Sequence, residues 1–181
     1  MTAKSALVLE DGSIFWGESF GAPVDGEGEV VFNTSMTGYQ EIATDPSYGG
    51  QIVTLTYPLI GNYGIAQEHQ ESRRPWIAGL IVREYYDDPS NWNSHGALAP
   101  FLREHGIPAL HGVDTRALTR RLRARGTMRA MLVQQVAGIP EDELVARVRQ
   151  VTPLSEKDLV ARATIEAPVD WGNGNSSANG K

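Results

Sequence analysis

Two serines, Ser35 and Ser47, flank an unusual polar stretch of this chain, and each carries a hydroxyl able to act as a nucleophile or to hold a ligand by hydrogen bonds. A serine nucleophile needs a base. Neither serine sits in a G-x-S-x-G elbow and no histidine lies nearby in sequence, so serine hydrolysis is not expected. Ser47 belongs to Asp45-Pro46-Ser47-Tyr48, where proline fixes the backbone and the residue after it can offer a hydroxyl and an N–H outward. The same four residues also read as a plain turn joining a helix to a strand. The histidines are His69, His95, His105 and His111; no two stand at i+3 or i+4, and none belongs to an H-E-x-x-H pattern, so no metal centre is expected. His105 falls where a helix should end, facing the negative end of its dipole. The chain contains no cysteine, which excludes disulfides, thiolate zinc sites and a cysteine nucleophile within it. It has no phosphate loop of the G-x-x-x-x-G-K-S/T type and no G-x-G-x-x-G after a strand, so neither ATP nor a dinucleotide is expected to bind through such a loop.

A further constellation is cationic. Over residues 114–126, Leu118 and Leu122 lie four apart and should face the core, with Val113 and Ala117 nearby, while Arg116, Arg120 and Arg123 share another face beside Arg121 and Arg125. Arg116 lies two residues after Asp114, where a local ion pair is possible. Two readings stand: a basic face for an acidic partner surface or nucleic acid, or a solvated face whose cations favour the carboxyl end of the helix. Nucleic acid is the weakest option, because no aromatic residues interleave to stack bases.

These residues need a frame. Residues 6–9 and 14–17 are apolar runs separated by Glu10-Asp11-Gly12-Ser13, the signature of a β-hairpin. A turn-rich connection leads to a strand over 29–34. A short helix is expected over 37–44 with Thr37 as its N-cap and Pro46 past its end. A strand follows over 51–57, then an irregular polar stretch over 58–75. Residues 76–82 are almost continuously apolar, the pattern of a strand covered on both faces. After a turn at 87–90, Ser94 is expected to cap a short helix through Leu98, Leu102 and Glu104. A strand over 107–110 leads to a helix from its N-cap Asp114 to Arg125, closed by Gly126, and then to a strand over 127–133. Another helix starts near Ile139, with Pro140 just inside it, and runs to about residue 150. From 167 the composition drifts to Gly, Asn and Ser, which reads as a flexible tail. The expected organisation is an α/β domain of α+β layers over 3–152, a short helical connector over 153–166, and the tail over 167–181.

The bulk numbers fit a folded domain: 181 residues, 41% hydrophobic, with a formal net charge of -6. An acidic chain has no general pull on nucleic acid or anionic lipid. No apolar run is long enough to span a membrane, and residues 1–7 do not read as a signal peptide, so a soluble cytoplasmic protein is expected.

Several blocks together resemble one family, the small, glutamine-handling subunit of carbamoyl phosphate synthetase. They are the run from Ala6 to Gly12, the block from Gly28 to Gly61 containing Phe32-Asn33-Thr34-Ser35-Met36-Thr37-Gly38-Tyr39-Gln40-Glu41, the run from Gly79 to Arg83, and Gly112-Val113-Asp114-Thr115-Arg116-Ala117-Leu118-Thr119-Arg120 with Leu122, Arg123 and Gly126. The resemblance covers about 4–160. It implies an amino-terminal domain of the swivelling β/β/α type, followed by a class I amidotransferase domain that hydrolyses glutamine through a Cys–His–Glu triad. It implies that ammonia passes to a large subunit, which uses ATP, Mg and bicarbonate to make carbamoyl phosphate for arginine and pyrimidine synthesis. The expected partners are that large subunit, the amidotransferase domain and glutamine, with no cofactor held by this chain. The family's Asp-Pro-Ser-Tyr serine reaches the glutamine site, and it corresponds here to Ser47. The sequence stops at Lys181, where the resemblance puts the start of the amidotransferase domain, and it carries no catalytic cysteine. The expectation is therefore part of a ligase, from a fragment or a split or truncated gene, that docks and completes the glutamine pocket but has no glutaminase activity alone. The alternative is a non-catalytic scaffold whose basic helix over 114–125 binds a partner protein.

Overall fold

Asp11 and Gly12 turn the chain back on itself, and the hairpin they close starts the sheet. The computed structural model describes residues 4–165, so the expected tail over 167–181 lies outside the described residues. Strand β1 (Lys4–Leu9) pairs antiparallel with β2 (Ile14–Ser19), from Lys4↔Glu18 to Val8↔Ile14. Gly12 takes φ 89°, the left-handed region such a turn needs. The Asp11 carboxylate accepts the Ser13 N–H at 3.0 Å and the Arg121 Nε–H at 2.7 Å. Burial pushes the Asp11 carboxyl up, but Ser13 and Arg121 outweigh it and hold the group below its ordinary value. A depressed folded pKa contributes stability above the unfolded value, and that contribution is lost as pH falls through the folded value. Asp11→Asn should therefore lower the melting temperature at pH 7, and the gap to the parent should close from about pH 4 downward. Thermal melts across that range check it; a constant gap would contradict it.

Seven strands close into a barrel in the order β1-β2-β8-β6-β4-β3-β9. The remaining members are β3 (Gly26–Asn33), β4 (Gln51–Leu55), β6 (Gly79–Ile81), β8 (Ala109–His111) and β9 (Met128–Val133). Strands β3, β4, β6 and β8 are successively parallel, while β9 runs antiparallel to both β1 and β3 and closes the ring. Parallel neighbours need crossovers. One carries α1 (Tyr39–Thr44) between β3 and β4, and another carries α2 (Leu98–Glu104) between β6 and β8. A small parallel pair, β5 (Leu59–Ile60) with β7 (Glu84–Tyr85), lies outside the barrel. Beyond these come α3 (Thr115–Arg125), α4 (Glu141–Arg149) and α5 (Leu159–Ala163).

Strand alternation sorts the core into three sets. Leu7, Leu9, Val30, Ile52, Ile81, Leu110 and Leu132 form one with Leu118 and Leu122 of α3; these strand residues fill the barrel, and α3 closes one end. Val53, Leu55, Leu80 and Val82 point the other way, against Ile42 of α1 and Leu98 and Leu102 of α2. Ala6, Val8, Met131 and Val133 pack outward against Leu144 and Val148 of α4.

The mixed α/β class agrees with the sequence; the sheet closes on itself instead of forming an open layer. The hairpin, the Asp114-to-Gly126 helix and the 127–133 strand stand as expected, with Asp114 Oδ1 accepting the Ala117 N–H at 2.9 Å. Other details differ. Thr37 does not cap α1: Gly38, which has no side chain to cap with, occupies the N-cap with φ 87°. Ser94 does not cap α2, whose N-cap is Ala97; the Ser94 hydroxyl bonds the Gly96 carbonyl instead. The expected 76–82 strand shortens to three residues because Trp76 N–H bonds Ala43 O at 2.9 Å, outside the ladder. The 58–75 stretch is not wholly irregular, since it holds β5 and a 3-10 turn at Gln67–His69. Pro140 sits at the N-cap of α4, one position earlier than expected, and Ala117 is exposed rather than in the core. Asp114 forms no ion pair with Arg116; its carboxylate is taken by the cap.

Candidate functional site

Ser47 stands on a turn that the sequence builds tightly. Asp45 caps the 3-10 turn Pro46–Tyr48 by accepting the Ser47 N–H at 2.8 Å, and proline supplies the first-turn backbone angle. Gly49 N–H bonds Pro46 O at 2.9 Å, and Gly50 N–H bonds Trp76 O at 3.3 Å. Asn33, at the end of β3, ties this turn to the barrel: its Nδ2–H donates to the Tyr48 hydroxyl at 2.9 Å. The Oδ1 of the same Asn33 accepts the Ser35 N–H at 2.7 Å. One side chain thus braces the two serine-bearing loops on a common rim, a role the sequence reading missed. Ser35 and Ser47 are both exposed, and no group among the described residues binds the Ser47 hydroxyl. The backbone N–H is spent on Asp45, so the hydroxyl is the donor that Ser47 has free.

The polar block that follows Ser35 is mostly structural. Gly38 N–H and Tyr39 N–H both donate to the Tyr63 hydroxyl, at 2.7 and 3.0 Å, so a tyrosine about 25 residues away caps α1. The Tyr39 ring stacks on Tyr63 at 4.1 Å and its hydroxyl donates to Gly64 O at 2.7 Å. Burial pushes the Tyr39 and Tyr63 hydroxyls above the ordinary tyrosine value, so both stay neutral at physiological pH. Gln40 is fully buried and binds both backbone groups of Ala66: Nε2–H to Ala66 O at 2.8 Å, and Ala66 N–H to Oε1 at 2.9 Å. The histidines remain apart: His69 is edge-on to Tyr63, His111 lies beside Phe20, and His105 ends α2 with its Nδ1–H donating to Phe101 O at 2.9 Å. Among the described residues no three His, Asp or Glu converge as metal ligands.

The basic helix face borders a cleft. Arg116, Arg120 and Arg123 of α3, with Arg83, Thr34, Thr56, Pro58, Thr115 and Thr119, line a space of about 710 Å³. Arg121 leaves that face to pair with Asp11. Thr34 adjoins Asn33, so the end of β3 separates the cleft from the Ser47 rim. The sequence placed the three helix arginines on one face; it did not reveal Arg83 and the strand-end threonines opposite them.

Comparison with known proteins identifies the family. Residues 7–132 match the family described as carbamoyl-phosphate synthase small chain, CPSase domain. The chain is 50% identical over 167 residues to the carbamoyl phosphate synthase small chain of Fusobacterium nucleatum, covering 92% of this chain and 46% of that protein. It is 58% identical over 133 residues to the small chain of Symbiobacterium thermophilum, covering 74% and 36%. It is 48% identical over 173 residues to that of Methanopyrus kandleri, covering 94% and 48%. The chain spans about half the length of the first and third of these relatives, or less. With a family match over residues 7–132 and relatives near 50% identical over most of its length, this chain belongs to the carbamoyl-phosphate synthase small-chain family.

Proposed function

We propose that this chain is the amino-terminal part of the small subunit of a glutamine-dependent carbamoyl phosphate synthase, a cytoplasmic ligase of arginine or pyrimidine synthesis. In this reading it docks on the large subunit and lends Ser47 to a glutamine pocket whose thiolate and remaining wall belong to an amidotransferase domain. ATP and Mg act on the large subunit, and this chain holds no cofactor of its own. The observation that carries the reading is the Ser47 hydroxyl: free, outward, and fixed by Asp45, Pro46 and the Asn33–Tyr48 bond. A hydroxyl held in that way orients an amino acid's charged group without taking part in covalent chemistry. The absence of cysteine fits a division of labour in which the nucleophile lies elsewhere. Among the described residues, no helix is long and apolar enough to cross a membrane.

The test is Ser47→Ala in a small subunit that includes the amidotransferase domain. A hydrogen bond to a charged group contributes about 1.5–3 kcal/mol. Glutamine-dependent kcat/KM should therefore fall roughly 10- to 100-fold, with ammonia-dependent synthesis within about twofold of the parent. Equal loss with both nitrogen donors would contradict the role.

A further inference from the structure

Four arginines share one cleft in a chain whose net charge is -6, and no acidic side chain lines that cleft. The topology explains the gathering. Thr34, Thr56 and Arg83 follow the carboxyl ends of the parallel strands β3, β4 and β6. Ligands of parallel sheets bind beyond those ends. The opposite wall is α3 from Thr115 to Arg123, and its backbone dipole favours negative charge at the Thr115 end.

The floor holds a second, independent sign. Thr115 is 3% exposed and lines the cleft, and no hydrogen bond among the described residues engages its hydroxyl. Its backbone groups are occupied: N–H bonds Val113 O, and the carbonyl accepts the Thr119 hydroxyl at 2.7 Å. The hydroxyl is not shut away from solvent, so it is open to accept or donate to whatever enters the cleft. The guanidiniums of Arg116, Arg120 and Arg123 are likewise uncommitted, with no ion pair to any described residue, and Arg83 meets only Glu84, at 3.9 Å. Asp114 lies beside Arg83 in a smaller adjoining cleft and is engaged in capping α3.

We propose that this cleft binds the phosphoryl group of a small soluble molecule. Guanidinium forks match phosphate oxygens two at a time, and threonine hydroxyls add donors whose hydrogens rotate to suit. The space exceeds what a bare phosphate fills and lies within the usual range for small-molecule sites. No aromatic side chain lines it, so it offers no platform for a nucleobase, and recognition rests on the anion.

The test is calorimetric titration of the whole chain with pyrophosphate, and separately with inorganic phosphate and with succinate as a carboxylate control. Pyrophosphate should saturate with a Kd below about 1 mM, and phosphate should compete with it while succinate binds at least tenfold more weakly. Arg120→Gln with Arg123→Gln should weaken pyrophosphate at least tenfold, and Thr115→Val about tenfold. Both arginines are exposed and unpaired, so the double variant should keep the parent melting temperature, which separates lost binding from lost folding. No saturation up to about 10 mM, or equal binding by the double variant, would overturn the proposal. So would a cleft that ignores pyrophosphate while Arg120→Glu with Arg123→Glu abolishes binding of a protein partner, since the site would then serve acidic side chains.

Discussion

Gly28→Val should leave this chain unable to complete its barrel. Gly28 lies in β3, where a Cβ would be driven into the backbone carbonyl oxygen of Gly50, just before β4. Backbone cannot rotate aside as a side chain can. The strands would have to separate where Glu29 registers with Gln51 and Val30 with Ile52, and Val30 and Ile52 are fully buried in the barrel interior. Overpacking a core ordinarily costs about 1–3 kcal/mol. Here the clash also breaks a ladder, so the loss should exceed about 4 kcal/mol, a large share of a domain's whole stability. Circular dichroism and a thermal melt should show no cooperative transition for Gly28→Val and a strongly lowered one for Gly28→Ala. Gly96→Ala is the control: a Cβ there meets nothing within 4 Å, and its melt should match the parent.

Gln40→Leu should be the second severe substitution, for electrostatic rather than steric reasons. The side chain is of similar size and the site is fully buried, so packing alone would tolerate the change. What is lost is the pair of bonds that Gln40 makes to Ala66, itself 3% exposed: the N–H is left without a partner, while the carbonyl keeps the His69 N–H at 3.2 Å. A buried N–H left without a partner costs about 1–3 kcal/mol, and the bond lost at the carbonyl adds about 1 kcal/mol. The expected destabilisation is about 2–4 kcal/mol by urea titration. Hydrogen exchange at the Ala66 amide should rise by more than the global change in stability accounts for. A Gln40→Leu protein as stable as the parent would mean that this contact does not hold the 60–76 segment.

Gln40 also shows where sequence reading reaches and where it stops. It belongs to the run from Phe32 to Glu41 that carries the family resemblance, yet nothing local says that its partner is Ala66, 26 residues on. Elements with local signals were legible: Asp11-Gly12 marks the hairpin, and Asp114 and Gly126 bracket α3. Elements defined by distant pairing were not. Barrel closure depends on β9 joining β1 and β3, and those contacts leave no mark on the spacing of any one strand. The cap of α1 went to Gly38 and the Tyr63 hydroxyl because a tertiary acceptor outcompeted Thr37, the better local candidate. Pro46 and Asp45 made the Ser47 turn readable from four residues. Its brace, Asn33 to Tyr48, joins a strand end to the turn across 15 residues, and the arginine cleft gathers ends of three strands and a helix. Sites assembled from strand ends are visible only once the order of strands is known.

The central claim is that this chain docks and completes a pocket whose thiolate lies elsewhere. Its most direct test mixes the 181-residue chain with a carbamoyl phosphate synthase large subunit and measures complex formation by analytical ultracentrifugation, with glutamine hydrolysis assayed on the same samples. The account predicts a complex at micromolar concentration and no glutamine hydrolysis by the chain, alone or bound. Failure to form any complex, or hydrolysis of glutamine by this cysteine-free chain, would contradict it.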